Sequence, residues 1–133
     1  MPSSSRGVQT VEDAVLAADA GVEAIALSNH GGRQLDGAPS TLSLVAPVAD
    51  AVRGRTEIIC DGGVRRGSDI VKAVASGATA AMAGRAYLYA LGAAGERGVD
   101  RVLEWFHADM VRTMTLLGVS TVEALDRDLL DLT

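Results

Sequence analysis

Three times along the chain a short apolar run ends in a polar, Gly-containing loop, and each loop leads into a segment with helical periodicity. Val22 to Ser28 runs into Asn29 to Pro39 and then Thr41 to Val52. Glu57 to Cys60 runs into Asp61-Gly62-Gly63 and then Ser68 to Ser76, and Ala80 to Ala83 runs into Gly84-Arg85 and a helix through about Glu96. Strands and helices alternating at intervals of roughly 25 to 35 residues specify βα units in a parallel sheet. The predicted core faces follow the same pattern: Leu42, Val45, Val48, Ala49 and Val52 on one helix, Ile70, Val71 and Val74 on the next.

The flanks are simpler. Thr10-Val11-Glu12-Asp13 is a helix start of capping-box type, and that helix should run to about Ala20, where Gly21 stops it. Residues 1 to 8 are polar and read as a tail or as the remnant of a preceding strand, leaving 9 to 133 as the structured part. Past the last strand, Val99 to Leu117 forms a long amphipathic helix and Thr121 to Leu125 a short one. The pattern contains about three parallel strands, whereas a closed (β/α)8 barrel needs eight and typically ~250 residues.

Composition narrows the function classes. With 48% hydrophobic but only 3% aromatic residues, the core is built from Ala, Val, Leu and Ile. A net charge of −5 without a basic cluster argues against a nucleic-acid surface. The lone Cys60 excludes an internal disulfide and fits a reducing compartment. Neither a membrane-spanning apolar run nor the apolar stretch of a signal peptide is present, so the expected location is cytoplasmic. No His, Cys, Asp or Glu set has metal-ligand spacing.

Chemistry concentrates at the strand ends, the face on which α/β barrels place their active sites. In Ser28-Asn29-His30-Gly31-Gly32-Arg33-Gln34-Leu35-Asp36, a histidine can exchange a proton near neutral pH and an arginine offers a fork of donors matched to a carboxylate. Taken alone, the loop is equally compatible with a solvated polar turn. Asp61-Gly62-Gly63-Val64-Arg65-Arg66-Gly67-Ser68 joins a strand to a helix, so its amides and the helix N-terminus can receive an anion. Gly84-Arg85 repeats the arrangement, with Arg85 in a first helical turn whose dipole it opposes. Two consecutive loops of this kind point to phosphate. His107, beside Trp105 and Phe106, reads as a packing or surface residue, and Cys60 as a small buried hydrophobe.

Taken in order, Ser-Asn-His-Gly-Gly-Arg-Gln-Leu-Asp, Asp-Gly-Gly-Val-Arg-Arg-Gly and Gly-Arg-Ala-Tyr resemble the FMN-dependent α-hydroxy acid oxidases and dehydrogenases, which include glycolate oxidase, lactate oxidase and L-lactate dehydrogenase. The resemblance runs from Gly7 to about Leu125 and covers the final portion of the family's barrel. It implies an α/β fold, the C-terminal part of a (β/α)8 barrel with a helical extension, and FMN as cofactor. By the same resemblance His30 is the active-site base and Arg33 the clamp for the carboxylate of a small 2-hydroxy acid. Arg6 and Ser28 would contact the flavin, while Asp61, Gly62, Gly63, Val64, Arg65, Gly84 and Arg85 would surround its ribityl-phosphate end. Arg6-Gly7 stands where the family has Lys-Gly, and a planar guanidinium is not a neutral exchange for a compact ammonium.

The first barrel strands, with further flavin contacts, a substrate-binding Tyr and the carboxylate that pairs with the catalytic His, have no counterpart in the sequence. Full-length relatives are expected to be homo-oligomers, and this chain by itself is expected to need the other barrel half. A three-stranded sheet would leave two open edges and a wet face carrying Ile25, Leu27, Ile58 or their neighbours, predicting an aggregated, molten or partner-dependent chain. Two copies would supply only six strands. The alternatives to the hydroxy acid reading are a flavin enzyme acting on a peptide-derived substrate in cofactor maturation, and a non-catalytic remnant that binds phosphate or a partner chain.

Overall fold

A computed structural model describes residues 4–131 of the chain. Its elements are β1 (Ser4–Val8), α1 (Val11–Asp19), β2 (Ala24–Ser28), α2 (Thr41–Val52), β3 (Glu57–Asp61), α3 (Gly67–Ala75), β4 (Ala80–Met82) and α4 (Arg85–Leu116). Single-turn helices occupy His30–Gly32, Val122–Ala124 and Arg127–Leu129. The sheet has four parallel strands in the order β1-β2-β3-β4. One helix follows each strand, as βα units require.

The expected N-cap of α1 is present, through one of the two bonds of a capping box. Thr10 Oγ1 accepts from Asp13 N at 3.1 Å, and Gly21, at φ 79°, follows the end of α1. Val45, Val48 and Val52 of α2 are buried against Ile25, Leu27, Ile58 and Cys60 of the sheet, with Leu42 and Ala49 partly buried beside them.

Three sequence expectations change. The first is the strand count: of the two readings of residues 1–8, tail or strand remnant, the strand holds, since residues 4–8 pair with β2 and make a fourth strand. Ser-Ser-Arg-Gly-Val carries no apolar alternation: Ser5 and Val8 are the helix-facing positions, opposite Ile25 and Leu27, while Arg6 lies opposite Ala26 on the other face, and a bulge at Gly7, φ 87°, is what brings Val8 to the helix side. Residues 1–3 of the expected tail lie outside the described residues.

The second concerns which face is open. Ile25, Leu27 and Ile58 are 0%, 0% and 3% exposed, covered by the helices. Alternation therefore sends Ala24, Ala26, Ser28, Ile59, Asp61, Ala80 and Met82 to the other face. That face is small or polar apart from Ile59 and Met82, so the cost argued from wet large aliphatics falls on fewer atoms. Both sheet edges, β1 and β4, remain without a neighbouring strand among the described residues. With four strands per chain, the six-strand arithmetic no longer applies.

The third concerns the last helices. α4 is interrupted only at Ala94 and Gly95, where the φ/ψ values leave the helical region, rather than between Glu96 and Val99. Its second half lies against α3, where Gly67 meets the α4 backbone. Beyond α4, Leu125 packs with Val71 and Ala75 in a second small core. The Arg127 guanidinium fastens this tail, donating to Asp50 at 2.8 and 2.9 Å, to Ala46 O at 3.2 Å and to Ser76 O at 3.3 Å. Among the described residues no helix is long and apolar enough to cross a membrane.

Asp109 ties α4 to the start of α3. Its carboxylate accepts from Arg112 Nη2 at 2.5 Å and from Ser68 N at 2.9 Å. The Arg112 hydrogen bond first, and the Ser68 amide second, hold its pKa below the usual carboxylate range. A depressed folded-state pKa contributes stability that is present above the unfolded value, about 3.9, and lost as pH falls through the folded value. Asp109→Asn is therefore expected to lose less melting temperature between pH 7 and pH 3 than the unmodified chain. Thermal melts at the two pH values check this, and equal losses would remove Asp109 from the acid response.

Candidate active site

Three βα loops meet at the C-terminal ends of β2, β3 and β4. In the loop after β2, Asn29 works in both directions: its Oδ1 accepts from Gly31 N at 3.0 Å, and its Nδ2 donates to Pro39 O at 3.1 Å. The side chain thus clips the two ends of the loop together. His30, Gly31 and Gly32 take φ values of 54°, 67° and 74°. At Gly31 an added Cβ would lie 3.2 Å from Arg85 Nη2, the mobile end of a long side chain, so the positive φ rather than crowding is what favours glycine there.

The loop after β3 starts from Asp61. Its Oδ2 accepts from Arg6 Nη2 at 2.8 Å, Arg6 Nε at 3.2 Å and Ser28 Oγ at 2.9 Å. Its backbone oxygen receives the Thr41 hydroxyl at 3.2 Å. One carboxylate oxygen therefore joins three strands. Gly62 follows at φ 141°, where an added Cβ would strike Thr41 Oγ1 at 2.8 Å.

The anion-binding groups are distributed differently from the sequence expectation. Asp69 Oδ2 accepts from Arg65 N at 2.9 Å and Arg66 N at 3.0 Å, and Asp109 takes Ser68 N. The start of α3 is thus occupied by the protein's own carboxylates. α4 differs, because no side chain caps it at Gly84. Its N-terminal dipole is combined with Arg85, whose Nη2 makes a long 3.5 Å contact to Gly31 O.

These loops enclose a cleft of about 490 Å³, large enough for part of a cofactor. Its lining includes Arg6, His30, Arg33, Asp61, Gly62, Gly63, Val64, Arg65, Gly84 and Arg85, so the sequence-derived residues share one site. Ser28 is the exception: it lies behind the cleft, 3% exposed. Met82, Tyr87 and Tyr89 line it too and were missed by sequence reasoning, although Tyr87 closes the Gly-Arg-Ala-Tyr motif. Asn29 and Thr41, which shape the loops, were also missed. An Asn two residues before a loop amide was the available signal for the first. Cys60 plays no part, since burial first and Asp61 second push its thiol up to about 11.

The model of the FMN-dependent dehydrogenase family matches residues 1–132. This chain belongs to that family. It is 44% identical over 128 residues to a peroxisomal (S)-2-hydroxyacid oxidase of Arabidopsis thaliana, with 96% of the chain and 35% of the relative covered. To a putative L-lactate dehydrogenase of Mycobacterium tuberculosis it is 50% identical over 120 residues, covering 90% and 29%. Among solved structures, flavocytochrome b2 with pyruvate bound superposes with a TM-score of 0.96 at 39% identity, over 100% of this chain and 35% of that one. Mandelate oxidase gives a TM-score of 0.91 at 43% identity, over 96% and 39%. The chain spans about a third of the length of the curated relatives it matches. The fold is accordingly a part of the FMN-dependent dehydrogenase barrel, and FMN is the family's cofactor.

The residues present fit a phosphate-bearing cofactor. Arg65 and Arg85 line the same cleft, the α4 N-terminus lacks a side-chain cap, and Gly63 and Gly84 add no bulk.

Proposed function

We propose that the chain carries the phosphate end of an FMN site and the acid–base loop of an oxidoreductase converting a 2-hydroxy acid to a 2-oxo acid. The observation that carries this reading is the convergence of His30, Arg33, Arg65 and Arg85 on one cleft from three consecutive βα loops. Arg65 and Arg85 hold the phosphate, with the α4 N-terminus adding its dipole. Arg33 pairs with the substrate carboxylate through two parallel hydrogen bonds. His30 receives the proton released from the substrate as its alcohol is oxidised. FMN, when bound, supplies the acceptor for the two electrons.

Arg6 lines the cleft already tethered to Asp61. Its charge is thereby held at the end of β1, in the place where the family resemblance expects a lysine. A second reading retains the flavin and exchanges the small acid for a peptide-derived substrate. The 48% identity over 124 residues to pre-mycofactocin synthase of Mycolicibacterium smegmatis favours it. Substrate profiling of a full-length form separates the two.

The cofactor reading is tested on the chain itself. Because the phosphate loops are present and the remainder of the ring pocket is not, FMN should bind weakly in a flavin-fluorescence titration. Arg85→Ala should weaken that binding roughly tenfold or more, the usual worth of a hydrogen bond to a charged group. An unchanged affinity would remove Arg85 from the site. A chain purified yellow with stoichiometric FMN would show a more complete pocket than these loops supply.

A further inference from the structure

Arg65 stands between β3 and α3, exposed on the cleft, and its guanidinium takes no hydrogen-bond or ionic partner among the described residues. A long side chain whose tip nothing holds is pre-aimed only through the backbone that carries it. That backbone is fixed from both sides. Val64, the residue before, is buried, and on the other side Asp69 Oδ2 accepts the Arg65 amide at 2.9 Å and the Arg66 amide at 3.0 Å.

The way α3 begins explains why an aspartate does this. Its N-cap position is Arg66, a residue with no side-chain acceptor to offer the amides of the first turn. Asp69, the third residue of the helix, reaches back past that position instead, and Asp109 of α4 takes the Ser68 amide. Asp69 forms no ion pair with Arg65 or Arg66 among the described residues, so it restrains the Arg65 backbone without engaging its charge. Nor does Asp69 line the cleft. Whatever it does there, it does through Arg65.

We propose that Asp69 is a positioning residue for the phosphate clamp, holding the Arg65 backbone so that a free guanidinium faces the cleft. The phosphate role of Arg65 rests on the function proposed above; the amide restraint does not.

Comparing FMN with riboflavin, which lacks the phosphate, tests this by flavin-fluorescence titration of the full chain. The unmodified chain should prefer FMN, and Asp69→Ala should shrink that preference roughly three- to tenfold while riboflavin affinity stays the same. A merely structural loss would weaken both flavins alike. Charge alone would act with the opposite sign, since removing a carboxylate near the site favours an anion. Asp69→Asn, which keeps a carbonyl acceptor without the charge, should retain the preference. Hydrogen exchange without flavin is the second readout: Asp69→Ala should speed the Arg65 and Arg66 amides roughly tenfold, while those of Ile25 and Val45 keep their rates. An FMN preference that is unchanged or larger in Asp69→Ala would overturn the proposal, as would an equal loss in Asp69→Asn or unaltered exchange at Arg65 and Arg66. Failure of the phosphate reading looks different, because Arg65→Ala would then leave the FMN preference unchanged as well.

Discussion

Gly67→Ala is expected to destabilise the chain by about 3 kcal/mol, the upper part of the usual range for overpacking. At this size that corresponds to a melting temperature lower by about 10 °C. A Cβ at Gly67 would lie 2.3 Å from Phe106 O, 2.4 Å from Met110 N and 2.9 Å from Asp109 C. All three are backbone atoms of α4, so no side-chain rotation relieves the clash; one helix must move away from the other. Moving them breaks the Ser68 N to Asp109 hydrogen bond and opens the contacts of Val71 with the C-terminal residues. The disturbance also reaches the cleft, because Arg65 lies just before α3 and its amide is held by Asp69 inside that helix. A thermal melt decides the matter. A variant melting within about 2 °C of the unmodified chain would show that α4 yields without loss.

That glycine illustrates what the sequence could and could not reveal. Elements with their own punctuation were legible: Thr10 and Gly21 bound α1, and α2 spans the expected Thr41–Val52. So were the loops that carry chemistry, since each follows an apolar run and contains Gly with Arg or His. Gly67 was read as part of a phosphate-binding turn, whereas its hydrogen atom is needed by a helix some forty residues later. Tertiary contact of that kind has no local signal. The first strand was hidden for a related reason. Ser4–Val8 earns its place by pairing with β2 and by offering Arg6 to Asp61, a partner 55 residues away.

The open face of the sheet was misassigned because β2 is apolar on both sides. Ile25 with Leu27 and Ala24 with Ala26 are equally acceptable core by composition, and only the helices decide which pair is covered. Once the large pair lies under the helices, the remaining face carries Ala26, Arg6, Asp61 and Ile59. The structure thus separates packing from chemistry by face: aliphatic bulk toward the helices, and the charged network on the side that a barrel would enclose.

His30→Ala is expected to lower kcat by roughly a hundred- to ten-thousandfold when the first half of the barrel is supplied and turnover can be measured. Alanine removes the imidazole but leaves the backbone amide that Ser28 holds, so the loop and the cleft should survive. FMN affinity, which depends on Arg65, Arg85 and the start of α4 in this reading, should change little. Arg33→Lys is expected to behave differently: its ammonium keeps the charge but cannot make two parallel bonds to a carboxylate, so KM rises more than kcat falls. The pair of variants therefore divides the loop after β2 into a proton acceptor and a carboxylate clamp. Steady-state kinetics with the flavin content of each variant measured in parallel provides the check. Near-normal kcat for His30→Ala with flavin bound would assign the proton transfer to another group, and the His30 loop would then serve shape alone.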